Sequence, residues 1–118
     1  MAVSTSNFPE VKVGGKFRNG LKIETREIKG RALAEHWFVT PFFMRGGKPH
    51  SKKRCLTHAS GLAAITGLRY KVIAELWEKV KDLDIHYATE KELKASPDYE
   101  KLGDVCEQYH IRQANGEF

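Results

Sequence analysis

Hydrophobic and polar positions change their period once along the chain. Between residues 11 and 66, β-branched and aromatic residues are frequent and turn residues interrupt them. Leu21 to Ile28 alternates apolar and charged side chains, which is typical of a half-exposed strand, and Glu35 to Met44 is a second β-prone run. Asn19-Gly20 indicates a two-residue hairpin turn. This pattern predicts an antiparallel sheet of four to five short strands over about 11–66.

Two further turn signals divide this part of the chain. Lys29-Gly30-Arg31 predicts a turn, and Ala59-Ser60-Gly61 predicts a tight hairpin that joins Arg54–His58 to Leu62–Thr66. Pro41 lacks a backbone donor, so it predicts either an edge position or a bulge in its strand.

From about residue 68 the hydrophobic period becomes helical. Apolar residues recur at 3.6-residue spacing at Leu68, Val72, Ile73, Leu76, Trp77, Val80 and Leu83. They predict an amphipathic helix over about 68–83 that covers the sheet. A capping box at Thr89 and Glu92, then Ser96-Pro97, predict one or two further helices over about 89–110. The fold class is therefore α+β.

Length and composition favour one soluble domain over residues 1–118, with a loose N-terminal arm at 1–9 and a frayed tail at 113–118. Two cysteines are too few for a disulfide framework. The longest apolar stretch, Trp37 to Met44, is too short to span a bilayer, and Met1 to Asn7 does not resemble a secretory signal. We therefore expect a cytoplasmic protein with no membrane partner.

Charge is distributed unevenly. Residues 1–60 carry twelve Lys or Arg and four Asp or Glu, a balance of +8, whereas residues 61–118 carry eight and eleven, a balance of −3. A molecule of this kind orients its basic end toward a polyanion, with a strength that depends on salt.

The highest density of positive charge follows the most aromatic stretch of the chain. Residues 45–54 read R-G-G-K-P-H-S-K-K-R, with five fixed cations and no acid. Arginine can grip a phosphate with a bidentate fork and lysine acts as a point charge. The predicted phosphate ligands are Arg45, Lys48, Lys52, Lys53 and Arg54, together with Lys16 and Arg18 beside the first hairpin turn. The alternative is a solvated hairpin loop whose charge maintains solubility.

Aromatic residues next to this segment admit two interpretations. Trp37 and Phe43 could contact bases if they are exposed, but aromatic residues in a strand beside an amphipathic helix commonly belong to the core. Both faces of Glu35–Met44 are apolar, so one face needs a cover, either from a second helix or from a partner. An exposed strand edge here could also form a homodimer.

Chemistry-bearing motifs are few. The sequence contains no nucleophile elbow, H-E-x-x-H motif, P-loop or dinucleotide-binding motif, and Glu35-His36 is the least unsuitable acid–base pair. We predict a non-catalytic protein without a cofactor, and leave a nuclease-type activity open. Cys55 with His58, and Cys106 with His110, are two half-sites that could in principle form a zinc site, although no C-x-x-C pair is present.

Together these features predict a small basic protein that binds nucleic acid, either DNA or RNA, through a basic hairpin loop beside an aromatic strand. The alternative is a phage-type or mobile-element-type regulator or inhibitor that binds a host nucleic-acid-handling protein.

Overall fold

A computed structural model describes residues 10–19, 22–44 and 47–118, with side chains described from residue 28 onward. The predicted arm at 1–9 lies outside these residues. The elements are β1 (Glu10–Asn19), β2 (Lys22–Ala34), β3 (Trp37–Phe43), β4 (Pro49–His58), β5 (Ala63–Arg69), α1 (Tyr70–Val80), α2 (Glu90–Ala95) and α3 (Tyr99–Ala114). An antiparallel sheet followed by helices confirms the predicted α+β class.

The five strands lie side by side in chain order, each antiparallel to the next. The predicted turn at Lys29-Gly30-Arg31 is wrong, because β2 continues through it and Gly30 pairs with Val11. A glycine is tolerated inside a strand where neighbouring groups approach closely, and Gly30 is buried. The chain reverses instead at Glu35 and His36. The predicted hairpin between β4 and β5 is confirmed.

Pro41 lies at a bulge and not at an edge. β3 is an interior strand between β2 and β4, so the bulge is the alternative that holds for Pro41, and a homodimer through this part of the chain stays a prediction. The β2–β3 ladder ends at Val39, two residues before Pro41, and the β3–β4 register shifts between Pro41 and Phe43. Pro41 pairs with Arg54 of β4 but with no described residue of β2, so its missing N–H interrupts no pairing with β2.

α1 and α3 cover one face of the sheet and enclose the core. Fully buried side chains come from both layers, including Leu56 and Leu68 in the strands and Ile73 and Leu76 in α1. The predicted helix at 68–83 is shorter at both ends, because Leu68 belongs to β5 and Leu83 follows α1.

The last helices follow their predicted capping signals. The Oγ1 atom of Thr89 accepts a hydrogen bond of 3.2 Å from the Glu92 backbone N–H, which begins α2. In the segment predicted as a frayed tail, Gln113 still belongs to α3, and the ring of Phe118 stacks on Tyr109 with centroids 5.9 Å apart. Of the helices described, none combines the length and apolarity needed to cross a membrane.

Candidate nucleic-acid interface

The turn between β3 and β4 presents the first lysine of the predicted site. The Met44 backbone N–H donates to the Lys48 carbonyl oxygen at 2.8 Å, and the Gly47 N–H donates to the Met44 carbonyl oxygen at 3.0 Å. Gly47 has a φ angle of 86°, which favours glycine. Lys48 is exposed at this turn, whereas Arg45 lies outside the described residues.

A wide bulge in β4 follows at once. Pro41 pairs with Arg54 and Phe43 pairs with Pro49, so a step of two residues on β3 faces a step of five residues on β4. Between these two pairs, β4 therefore contains three more residues than β3, and the two strands pair on both sides of the bulge. The sequence predicted a loop here, and the structure places Lys52 and Lys53 on this bulged strand.

His50 and Arg54 shape the bulge from within. The Nδ1 atom of His50 accepts hydrogen bonds from the backbone N–H groups of Lys52 and Lys53, both at 3.0 Å. The Arg54 guanidinium donates to three carbonyl oxygens, those of His50 at 3.0 Å, Lys53 at 2.8 Å and Ser51 at 3.4 Å. Because these donors are already used, Arg54 supports the bulge, and a fork to phosphate by this residue stays a prediction.

The lysines of the hairpin and bulge form no ion pair with the acids of the described residues. Lys48 and Lys52 are exposed and Lys53 is half-buried. We call Lys48, Lys52 and Lys53 the basic bulge surface.

The structure corrects the aromatic part of the predicted site. Trp37 is 0% exposed, its Nε1–H donates to the Ile85 carbonyl oxygen at 2.8 Å, and its ring packs edge-on to His58 with centroids 5.1 Å apart. Trp37 therefore belongs to the core and cannot reach a base. Phe43 is half-buried, and the neighbouring Phe42 ring lies 6.3 Å from His50.

The face of the sheet away from the helices is more polar than predicted. It holds Thr40 and Thr57, whose hydroxyl groups share a hydrogen bond of 2.8 Å, and the buried thiol of Cys55. Phe42 and Thr66 help to line a pocket of about 200 Å³ on this face. Thr40, Thr57 and Cys55 are all buried, so the described chain already covers this part of the face.

Two basic residues escaped the sequence prediction. The β4–β5 register pairs Lys53 with Arg69, and His110 of α3 lines a pocket of about 440 Å³ with both of them. Arg69 falls within the helix predicted over about 68–83, but it is the last residue of β5. A correct alignment of the β4–β5 hairpin would have revealed the pairing of Lys53 with Arg69.

Lys16 and Arg18 lie near the end of β1, and their side chains are outside the described residues. Asn19, the last residue of β1, pairs with Lys22 of β2, and Gly20 of the predicted hairpin turn lies outside the described residues. Whether these two cations join the interface stays a prediction.

The predicted half-sites for zinc do not converge. Cys55 lies on the same face of the sheet as its β3 partner Thr40, whereas His58 packs against Trp37 on the opposite, core-facing side. Burial raises the pKa of the Cys106 thiol to about 11, while His110 is exposed. Within the described part of the chain, no three His, Cys, Asp or Glu side chains are placed to hold a metal.

Comparison with known proteins gives no family. The sequence matches no protein-family model, and no curated protein or solved structure matches it.

Proposed function

We propose that the protein binds nucleic acid through the basic bulge surface, without catalysing a reaction, in the cytoplasm. One observation carries the proposal: the bulge holds Lys52 and Lys53 beside the turn that presents Lys48, and no described carboxylate pairs with these lysines. Three ammonium groups without a described carboxylate partner attract a polyanion, and a phosphate backbone is a polyanion of this kind.

The proposal predicts how steeply the affinity for nucleic acid falls as the salt concentration rises. Each phosphate that a protein neutralises adds about −0.7 to −0.9 to the slope of log affinity against log salt. If each of the three lysines engages one phosphate, the slope contributed by this surface is about −2 to −3.

Fluorescence anisotropy with labelled single-stranded DNA, duplex DNA and RNA tests the proposal at two salt concentrations. The variant with Lys48→Ala, Lys52→Ala and Lys53→Ala should lose most of the salt slope. A matched control with Lys79→Ala, Lys91→Ala and Lys101→Ala removes the same charge from exposed helical positions and should retain the slope. Equal losses in both variants would show a net-charge effect and contradict the proposal.

A second candidate is a regulator that binds a nucleic-acid-handling protein. It is favoured by a groove of about 400 Å³ between β5 and α3, with Leu62 and Ala64 on one side and three exposed acids on the other. The acids are Glu100, Asp104 and Glu107. Such a groove suits a basic, partly apolar segment of a partner. Absence of binding to every oligonucleotide at low salt would favour this candidate.

A further inference from the structure

A second basic site lies next to the basic bulge surface. Lys53 of β4, Arg69 of β5 and His110 of α3 line one side of the pocket of about 440 Å³ described above. These residues are distant in sequence, and three separate elements bring them together. No described carboxylate forms an ion pair with Lys53 or Arg69.

The backbone around this pocket is held in place by one side chain. The Gln113 side-chain amide donates to the Gly67 carbonyl oxygen at 3.0 Å and accepts from the Arg69 backbone N–H at 3.0 Å. Gly67 has a φ angle of 79°, a conformation that favours glycine, and the two hydrogen bonds from Gln113 fix the main chain on either side of Leu68.

The charge balance in the pocket favours an anion. The last turn of α3 contributes carbonyl oxygens, which carry about half an elementary negative charge at a helix C-terminus. Lys53 and Arg69 contribute two full positive charges. The positive charge exceeds the opposing helix dipole.

We propose that this pocket holds one phosphate group of the bound nucleic acid. The inference rests on the proposed function, because Lys53 belongs both to the basic bulge surface and to the pocket. A strand on the bulge would then continue across β4 and β5 toward the C-terminal end of α3. Arg69 can offer a planar fork to a phosphate, which lysine cannot do.

The first test uses inorganic phosphate and amide NMR spectra of the full chain. Saturable shifts are expected at the amides of Gly67, Arg69 and Gln113. They should weaken in Arg69→Gln, whereas Lys71→Gln, an exposed control two residues away, should retain them. Shifts that do not saturate, or that persist unchanged in Arg69→Gln, would overturn the inference.

The second test measures oligonucleotide affinity by anisotropy with the same variants. Loss of one charge-assisted contact corresponds to about tenfold weaker binding, so Arg69→Gln should bind about tenfold more weakly than Lys71→Gln. Equal affinities of these two variants, with wild-type binding intact, would overturn the phosphate pocket while the proposed function stands. Saturable phosphate binding without any oligonucleotide binding would overturn the proposed function and the assignment of this phosphate to a nucleic acid.

Discussion

The side-chain Oε1 atom of Gln113 accepts a hydrogen bond of 3.0 Å from the backbone N–H of Arg69. The same amide donates to the carbonyl oxygen of Gly67, so one side chain of α3 satisfies a donor and an acceptor of β5. β5 is the last strand of the sheet. Edge strands carry backbone groups that can pair with another chain, and Gln113 occupies two of them.

Replacement of this glutamine should loosen the edge strand. Gln113→Ala removes both hydrogen bonds, and we expect the free energy of unfolding to fall by about 1–2 kcal/mol. Hydrogen exchange at the Arg69 amide should accelerate as well. Denaturant unfolding and exchange measured by NMR check both effects, with Gln108→Ala at an exposed position of the same helix as the control. Unchanged exchange at Arg69 would contradict the assigned role.

A buried histidine should make stability depend on pH. Burial lowers the pKa of His58 below its ordinary value near 6.5, although the Tyr87 carbonyl oxygen, which accepts from Nε2, partly opposes this. The Nδ1 atom accepts from the Ser60 backbone N–H at 3.1 Å, an interaction that protonation of Nδ1 would remove. As the pH falls below about 6.5, the unfolded chain binds this proton first, so stability is lost.

Thermal unfolding at pH 7.5 and 5.5 measures this dependence. The melting temperature should fall more between these two pH values in the wild type than in His58→Gln, which cannot titrate at that position. His110→Gln, at an exposed position, should resemble the wild type. Parallel pH profiles for wild type and His58→Gln would refute the assignment.

Two glycines should respond oppositely to alanine. Gly67 has a φ angle of 79°, so Gly67→Ala places an L side chain in a strained conformation and should destabilise the protein by about 1–2 kcal/mol. Gly103 lies inside α3, with no atom within 4 Å of an added Cβ. Gly103→Ala should therefore stabilise the fold by about 0.5–1 kcal/mol. Chemical denaturation of both variants checks the difference in sign.

The hydrogen bond from Trp37 to Ile85 should contribute measurably to stability. Trp37→Phe leaves the Ile85 carbonyl oxygen without its donor and should cost about 1–3 kcal/mol, in addition to the lost volume. Trp77→Phe is a suitable control, since Trp77 is also buried but has no hydrogen-bond acceptor among the described residues. If both variants lose the same stability, the hydrogen bond contributes little.

The sequence predicted the presence of the helices and strands better than it predicted the residues at which they begin and end. The 3.6-residue period located α1, and the capping box located α2, because both signals are local. Gly30 gave a false turn signal, since a strand can accept a glycine that a turn would also suit. Trp37 could not be placed by pattern, because its burial depends on the distant Ile85.

The candidate site was predictable in composition but not in shape. The amino-acid sequence alone shows a basic segment without acids. The shape of the bulge depends on the hydrogen bonds that the side chains of His50 and Arg54 form with the backbone of β4. The pairing of Lys53 with Arg69 depends on register, and the approach of His110 depends on helix packing. Such long-range relationships appear only when the whole chain is folded.

The bulge in β4 separates the residues that fix the strand register from the residues that set the charge of the surface. The pairs Pro41–Arg54 and Phe43–Pro49 hold the register on both sides, and Ser51 and Lys52 between them are exposed. Substitutions at these two positions therefore change the charge of the surface without altering the strand register or the hydrophobic interior.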